Sequence, residues 1–411
     1  MLEFERINTL IAGSLNNLIS KIKGTPHYHF SFLKKRMWGK KRTAVKKEFG
    51  SMIGLGGPTL GLAEKVAVWR QLSSGQLAQG AKVAKFESEF AIWSGCQKVV
   101  AMNSGTSALH LGNLALGLGP GDEVIVPSFT FAASANSIAL TGATPVFCDV
   151  DPLYFTLDPV KARGLVTSRT KAIMVVHLYG QMADMVPLKR LADEFGLYLI
   201  EDAAQAHGAL LDDIPAGSWG DFGAFSFYPT KNMTTGEGGA LTTSRSDIER
   251  SSRLLRNQGS IERYKNEVVG VNNRMTELNA VIGIQQLKRI DGFNSRRIRN
   301  ANILSESLAG LDGIKVPLVR PKSRHVFHQY TVLVDGDRDE FSKELGNLNV
   351  QSAVYYPTPV HRLPAFQVQA DLPITEKLAS SCLSLPIHPS LGRSKINTVS
   401  MAVREVLGVY K

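Results

Sequence analysis

The chain has 411 residues, of which 44% are apolar and 20% are charged, and its formal net charge is +11. This composition excludes a disordered, collagen-like or disulfide-rich protein, and the length corresponds to roughly two or three domains. The charge is concentrated at one end, because residues 1–50 hold 11 Lys and Arg against 3 Asp and Glu. The remainder of the chain is therefore close to neutral.

The cysteines and the apolar runs bear on cellular location. Cys96, Cys148 and Cys382 are far apart and form no pair with metal-ligand spacing, so we expect neither disulfides nor a metal site. No apolar run reaches the roughly 18–20 residues of a membrane span. Glu3 and Glu5 precede any apolar stretch, which is atypical of a signal peptide. The sequence favours a cytoplasmic protein.

The first predicted element is an amphipathic helix in a basic N-terminal extension, residues 1–57. Apolar residues recur every three or four positions from Phe4 to Ile22, which predicts one apolar stripe on a helix. Ten Lys and Arg and no acidic residue follow between Lys21 and Lys47. The glycine-rich stretch 54–58 then indicates a hinge before the next domain.

Residues 58–300 are predicted to form a large α/β domain, because short apolar runs alternate with segments of helical spacing. This alternation is typical of a mostly parallel sheet covered on both faces, and ligands bind such sheets at the carboxyl ends of the strands. Two of the intervening helices are predicted at Ser107–Leu118 and Met185–Phe195. The seven predicted strands are Val99–Met102, Glu123–Val126, Pro145–Val150, Ala172–His177, Leu197–Ile200, Phe222–Phe227 and Ala240–Thr243.

Residues 301–411 are predicted to form a smaller α+β domain. A polar, Arg-rich helix at 289–309 leads out of the large domain. Strands are predicted at Tyr330–Val334 and Ala353–Tyr356, and helices at Asp339–Leu345 and Thr375–Ser381.

Three predicted strand ends carry residues suited to chemistry. A small-residue turn, Asn103–Leu109, follows the first strand and opens a helix, whose free N–H groups and positive terminus suit a phosphate. Asp202 follows the strand Leu197–Ile200, which places a carboxylate at the carboxyl edge of the sheet. Lys231 follows the strand Phe222–Phe227 and precedes a Gly-rich turn.

These three features together match the requirements of pyridoxal 5′-phosphate (PLP). Its aldehyde needs a lysine for covalent attachment, its ring nitrogen needs a carboxylate to stay protonated, and its phosphate needs a helix N-terminus. The flat ring also needs an aromatic cover, and the aromatic segment 127–131 follows the next strand. The sequence therefore predicts PLP as the cofactor.

The motifs on these elements resemble the DegT/StrS family of PLP-dependent sugar aminotransferases, which have PLP fold type I. They run in order from about residue 58 to 390: SGTSAL, GDEVIVPSFTF, VHLYGQMADM, IEDAAQAHGA, FSFYPTKNMTTGEGG, LRNQGS, GVNNRMTELNA, FHQYTVLV and PIHPSL. The combination of IEDAAQAHGA with FSFYPTKN is specific. The resemblance implies a large domain with a mostly parallel seven-stranded sheet and a smaller C-terminal domain.

The resemblance also implies roles for individual residues. Lys231 would attach the cofactor and, with Asp202, carry the catalysis. Asp202 would pair with the ring nitrogen. Asn272 would reach the phosphate from the other subunit, making the protein a homodimer with shared active sites, although Asn273 stands where the family usually has an aromatic residue. The remaining cofactor contacts would come from Gly105, Thr106, Phe131, Gln205 and Ser226.

The implied reaction is a two-step amino transfer. An amino acid, L-glutamate, would donate its amino group to the cofactor, and a keto-sugar, usually nucleotide-linked, would accept it in amino-sugar, glycan or antibiotic-sugar biosynthesis. Some relatives with histidine in place of the lysine perform dehydration, so Lys231 favours transamination. His328 and Tyr356 fall in stretches that border the substrate in the family, and purely structural roles are equally open for both. Arg274 is compatible with contact to a substrate phosphate or with a plain salt bridge.

Alternatives remain open for several of these features. His207 lies inside a family motif and is equally compatible with a plain core role. The basic extension is compatible with a DNA-binding regulator that has an aminotransferase-like domain, although one clear helix is too little for a winged-helix reader. It is also compatible with docking on an anionic membrane surface or with packing on the dimer. Nucleic acid is not the expected partner.

Overall fold

A computed structural model of the protein describes residues 51–408. The predicted amphipathic helix and basic stretch lie outside the described residues. Within these residues, the chain from Met52 to Gly408 forms one compact unit. The domain boundaries at residues 57 and 300 stay predictions.

The central sheet has seven strands, as predicted. The strand Gly239–Thr243 runs antiparallel to both of its neighbours, and the other neighbouring strands run parallel. The fold class is therefore α/β with a mostly parallel sheet. In spatial order the strands are Lys98–Met102, Gly239–Thr243, Phe222–Ser226, Tyr198–Asp202, Thr170–Val176, Glu123–Pro127 and Thr144–Cys148.

Helices cover both faces of this sheet, which explains why most residues along its strands are apolar. Successive residues of the first strand enter different cores: Val99 and Ala101 pack in one cluster, and Val100 and Met102 in the other. The helices of this part are Leu62–Ser73, Ala81–Ser94, Gly105–Ala115, Ala133–Ala139, Pro159–Gly164, Met185–Phe195, Ser246–Arg256, Glu277–Leu287 and Ile290–Leu308.

The C-terminal part is built on an antiparallel sheet. Its strands lie in the order Ile314–Lys315, Tyr330–Val334 and Cys382–Leu385. The helices Arg338–Asn347, Pro373–Ser381 and Arg393–Val406 complete this part. Two small sheets lie outside both of these sheets: a three-stranded one in the order Ser323–Arg324, Leu210–Leu211 and Ile214–Pro215, and a two-stranded one of Ser260–Glu262 and Lys265–Asn266.

The predicted strand Ala353–Tyr356 is wrong. Only Ala353 pairs, through reciprocal backbone hydrogen bonds with Ser384 of 3.2 and 2.8 Å. The chain then leaves the sheet, and the two tyrosines pack against residues of the large part instead: the Tyr179 hydroxyl donates to the Tyr355 carbonyl, and Tyr356 accepts from Gln205. The strands that do pair along Tyr330–Val334 are Cys382–Leu385 and the short Ile314–Lys315, and neither was predicted from the sequence.

The start of the described chain is tied to the C-terminal part. The Ile53 N–H donates to the Asn349 carbonyl at 2.8 Å, and the Gln351 N–H donates to the Ile53 carbonyl at 3.0 Å. Ile53 is also buried. The stretch predicted as a hinge, residues 54–58, is therefore anchored at its N-terminal side.

Residues 51–408 lack two kinds of element. No helix in this part of the chain is long and apolar enough to cross a bilayer. No group of His, Cys, Asp and Glu side chains there is arranged to hold a metal ion.

Candidate active site

A cavity of about 500 Å³ lies at the carboxyl ends of the parallel strands. This is the edge at which the sequence predicts ligand binding. Nine of the eleven predicted site residues line it, although they are spread over more than 250 positions of the chain. They are Gly105, Thr106, Phe131, Asp202, Gln205, Ser226, Lys231, His328 and Tyr356.

One end of the cavity is formed by the N-terminus of the helix Gly105–Ala115. Ser104 caps this helix by accepting the Ser107 N–H on its side chain at 3.1 Å. The first N–H groups of a helix have no partner within the helix, so those of Gly105 and Thr106 are available to an anion. A Cβ added to Gly105 would lie 2.8 Å from the Ser226 Cβ, so a residue with a side chain does not fit at this position without a shift. Backbone donors, a threonine and a serine therefore converge at this end.

Asp202 ends the strand Tyr198–Asp202 and is buried against the cavity floor. Burial raises the pKa of its carboxyl group above the ordinary value, and a hydrogen bond from Ser134, one from the Ala204 N–H and the charge of Lys231 offset only part of this rise. The Ser134 hydroxyl donates to Oδ2 at 2.7 Å, and the Ala204 N–H donates to Oδ1 at 3.1 Å. Both carboxylate oxygens are thus held in place.

Lys231 lies just beyond the neighbouring strand, Phe222–Ser226. Its backbone N–H donates to the Tyr228 carbonyl at 2.9 Å, which closes a turn whose two end residues both line the cavity. Burial lowers the pKa of the lysine to about 8, and the charge of Asp202 opposes this shift. A substantial fraction of the amine is therefore neutral near physiological pH, as a nucleophile or base requires.

One wall of the cavity is aromatic. The rings of Phe131 and Tyr356 lie 5.8 Å apart between centroids. Gln205 connects this wall to the turn Leu178–Gly180, because its Oε1 accepts the Tyr179 N–H at 2.7 Å and its Nε2 donates to the Tyr356 hydroxyl at 3.1 Å. Burial raises the pKa of Tyr356, so its hydroxyl stays protonated. The Phe131 side chain in this wall is exposed to solvent.

Two histidines near the lysine are buried and differ in their contacts. Burial lowers the pKa of His328, which lines the cavity and lies 3.3 Å from the Asn232 Oδ1 through its Nδ1. Burial also lowers the pKa of His207, to about 3, and its ring packs against Phe225 and Phe227. Both are therefore neutral, and His207 lies in the aromatic core outside the cavity lining.

Asn272 and Arg274 do not line the cavity of this chain. They contact each other, since the Arg274 Nε donates to the Asn272 Oδ1 at 2.9 Å, and Arg274 also donates to the Asn257 Oδ1 at 3.0 Å. Asn273, the departure from the family pattern, accepts the Asn103 backbone N–H on its carbonyl at 3.0 Å. Asn272 is exposed, which leaves it accessible to a second subunit.

Several cavity residues were missed from the sequence. Thr130, Tyr228, Glu237 and Tyr355 line the cavity, and Ser134 binds Asp202. The first three lie inside motifs that the sequence analysis singled out, so their neighbourhood was a usable signal. Ser134 and Tyr355 carried no signal, because helix position and long-range packing decide where they point.

The cavity fits PLP by the chemistry of its donors. The glycine cradle and hydroxyls suit a phosphate, the buried carboxylate suits a protonated ring nitrogen, and the lysine with a lowered pKa suits an aldehyde. The topology also agrees: Asp202 ends one strand and Lys231 follows the parallel strand beside it, so both residues lie at one edge of the sheet.

Known proteins are similar to this chain in both sequence and fold. A model of the DegT/DnrJ/EryC1/StrS aminotransferase family matches residues 59–404. A Streptomyces venezuelae protein, dTDP-3-amino-3,4,6-trideoxy-alpha-D-glucose transaminase, is 42% identical over 344 residues, 82% of this chain and 90% of that protein. GDP-perosamine synthase of Caulobacter vibrioides is 44% identical over 80% of this chain and 91% of its own.

Among solved structures, NtdA from Bacillus subtilis with bound cofactor PMP has a TM-score of 0.79 and 31% identity, and the match covers 85% of this chain and 83% of that one. PMP is the amino form of PLP, so the predicted cofactor is confirmed at the level of the family. The fold and the enzyme class predicted from the motifs are confirmed as well. The chain therefore belongs to the DegT/DnrJ/EryC1/StrS aminotransferase family, and its cofactor is pyridoxal 5′-phosphate.

Proposed function

We propose that this aminotransferase moves an amino group from L-glutamate to a keto-sugar linked to a nucleotide. The observation that carries the proposal is a single cavity that joins a buried lysine of lowered pKa, a buried carboxylate and a helix N-terminus. The names of the relatives, which specify dTDP- and GDP-linked sugars, favour such a substrate over the regulatory role that the sequence left open.

When bound, PLP supplies an aldehyde and an electron-withdrawing ring that lowers the barrier to removing a proton from the carbon bearing the amine. Lys231 would hold the aldehyde carbon and then, once displaced, carry that proton on its Nζ. Asp202 would keep the ring nitrogen protonated. The phosphate would rest on Gly105, Thr106 and Ser226, which are gathered at the helix end.

The ring itself would be held by the aromatic wall. Phe131 would stack on one side of it and Gln205 would lie close by, kept in position by its contacts to Tyr179 and Tyr356. Neutral His328 and the Tyr356 hydroxyl face the same cavity and are suited to hydroxyls of a sugar. We propose both as substrate contacts.

A homodimer with shared sites accounts for the two predicted residues outside the cavity. Asn272 would reach the phosphate of the partner's cofactor, and Arg274, held at 2.9 Å from Asn272, would meet a phosphate of the partner's substrate. The anionic nucleotide diphosphate of such a substrate suits an arginine. We place the enzyme in the cytoplasm, in amino-sugar, glycan or antibiotic-sugar biosynthesis.

The substrate proposal is tested with a panel of dTDP-, GDP- and UDP-linked keto-sugars, together with a free keto-cyclitol and a keto-sugar that carries no nucleotide. The enzyme is incubated with each sugar and with ¹⁵N-labelled L-glutamate, and the products are analysed by mass spectrometry. We expect the label in at least one amino sugar, and none with the Lys231→Ala variant. Labelling of a free keto-cyclitol or a sugar without nucleotide, with no labelled nucleotide sugar, would contradict the proposal.

We also propose that residues 1–57 bring the enzyme to an anionic membrane surface. The support is composition alone: 11 basic against 3 acidic residues before residue 51, next to an apolar stripe of helical spacing. Because Ile53 pairs with the C-terminal part, the matched truncation begins at Met52. We expect the full chain to sediment with vesicles that contain phosphatidylserine and the truncated chain to stay in solution. Equal sedimentation of both would overturn this proposal.

A further inference from the structure

Asp202 is fixed by a chain of hydroxyl groups that begins at the cavity wall. The Ser134 Oγ lies 2.7 Å from the Asp202 Oδ2, and the Thr130 Oγ1 lies 3.0 Å from the same Ser134 Oγ. An ionised carboxylate can only accept, so Ser134 donates its one hydrogen to Asp202. Thr130 must then donate to Ser134. The direction of both hydrogen bonds therefore follows from the charge of Asp202.

The other charged or titratable groups near Asp202 do not replace this donor. Lys231 acts on it as a charge, and the Tyr356 hydroxyl, which accepts a hydrogen bond from Gln205, makes none to Asp202 in the described residues. His177 lies behind the strand, but its Nδ1 accepts the Ala183 N–H and its Nε2 binds Glu201. Ser134, with no exposed surface, is thus the side chain that hydrogen-bonds Asp202 in the described structure.

We propose that Ser134, oriented by Thr130, is a positioning residue that keeps the Asp202 carboxylate charged and aimed at the ring nitrogen of PLP. The inference rests on the proposed role of Asp202. Burial alone would favour the protonated acid, which could not hold the proton on the ring nitrogen, whereas a donor to the carboxylate favours the charged form. Ser134 touches Asp202 and acts on the cofactor through it.

The test isolates the contribution of the ring nitrogen to ligand affinity from the contributions of all other contacts. Apoenzyme is titrated calorimetrically with 4′-deoxypyridoxine 5′-phosphate, which has no aldehyde to react with Lys231, and with the analogue whose ring nitrogen is replaced by CH. Loss of a hydrogen bond to a charged group corresponds to roughly a ten-fold change in affinity. We expect Ser134→Ala to weaken the nitrogen-containing ligand by about ten-fold and to leave its carbon analogue unchanged.

Ser137 provides a matched control. It lies in the same helix, Ala133–Ala139, is equally buried, and donates its hydroxyl to the Ser134 carbonyl instead of to Asp202. Ser137→Ala should leave both affinities unchanged. Ser134→Cys, which keeps a side chain of similar size with a weaker donor, serves if the alanine variant does not fold, and should give a smaller loss confined to the nitrogen-containing ligand.

The possible outcomes distinguish a failure of the Ser134 inference from a failure of the proposed role of Asp202. Equal weakening of both ligands by Ser134→Ala, or no weakening of either, would overturn the role of Ser134. Asp202→Ala should abolish the difference in affinity between the two ligands. If Asp202→Ala preserves that difference, the proposed role of Asp202 fails. If it abolishes the difference while the Ser134 variants preserve it, only the Ser134 inference fails.

Discussion

The ionisation of Lys231 yields a quantitative prediction for the apoenzyme. Burial lowers its pKa from an ordinary 10.5 to about 8. At pH 7.5 a pKa of about 8 leaves about a quarter of the amine neutral, whereas 10.5 leaves about one part in a thousand. The neutral, reactive amine is therefore roughly 200-fold more abundant than on an ordinary lysine. The reaction that attaches the cofactor depends on this fraction.

Competitive acetylation measures that ionisation directly. Apoenzyme is labelled at a series of pH values with trace acetic anhydride beside a free-amine standard, and the peptide that holds Lys231 is quantified by mass spectrometry. We expect reactivity to rise with pH and to level off above a midpoint near pH 8. Asp202→Asn should move the midpoint to lower pH, because the charge of Asp202 raises the pKa of the lysine.

Two results would refute this reasoning. A midpoint close to 10.5 would mean that the amine is solvated and that burial has no effect on it. A midpoint that moves to higher pH in Asp202→Asn would mean that the carboxylate does not stabilise the ammonium form. The Lys231→Ala variant identifies the peptide signal and excludes labelling of neighbouring groups.

Three further predictions concern the phosphate end, the dimer and the core. Gly105→Ala places a Cβ 2.8 Å from the Ser226 Cβ. The affinity for PLP, measured by equilibrium dialysis, should therefore fall, while the far-ultraviolet circular dichroism stays unchanged. An affinity equal to that of the wild type would contradict the role of Gly105 in holding the phosphate. Asn272→Ala and Lys231→Ala should each be impaired, but mixed dimers should recover about a quarter of wild-type activity, because half of the dimers are mixed and each has one intact site; no recovery would exclude a shared site. Phe90→Ala removes a fully buried ring that packs edge-on against two neighbouring rings. It should lower the free energy of unfolding, measured by urea titration, by about 3–5 kcal/mol. A loss below about 1 kcal/mol would contradict that packing.

The strands of the large sheet were predictable because both faces of the sheet are buried. Apolar runs bounded by turn residues then mark each strand, and all seven occur within three residues of the predicted bounds. Parallel neighbours place their carboxyl ends together, so Asp202 and Lys231 could be assigned to one site from the chain order alone. The helix Met185–Phe195 was predicted at its observed bounds.

The C-terminal part was harder to predict, because its strands are short and their partners are distant in sequence. Ala353–Tyr356 has the β-branched and aromatic composition of a strand, yet Pro357 follows and both tyrosines turn toward the cavity. Cys382–Leu385 continues directly from a helix, with no turn residue to mark its start. In both places contacts between distant segments outweigh local propensity.

The same reason limits what a motif reveals about a site. Residues at strand ends, such as Asp202 and Ser226, are positioned by the sheet and were predictable. Ser134 binds Asp202 only because a short helix after the aromatic segment turns it inward, and no spacing in the sequence encodes that contact. Groups that orient a site through another residue therefore emerge only from the folded chain.

The most direct measurement is the response of the cofactor spectrum to L-glutamate. Enzyme reconstituted with PLP is mixed with L-glutamate, and the visible absorption band is followed until a nucleotide-linked keto-sugar is added. We predict that the band decreases with glutamate, that 2-oxoglutarate forms in equal amount, and that the keto-sugar restores the band. A spectrum that glutamate leaves unchanged, identical to that of Lys231→Ala, would contradict transamination by this chain.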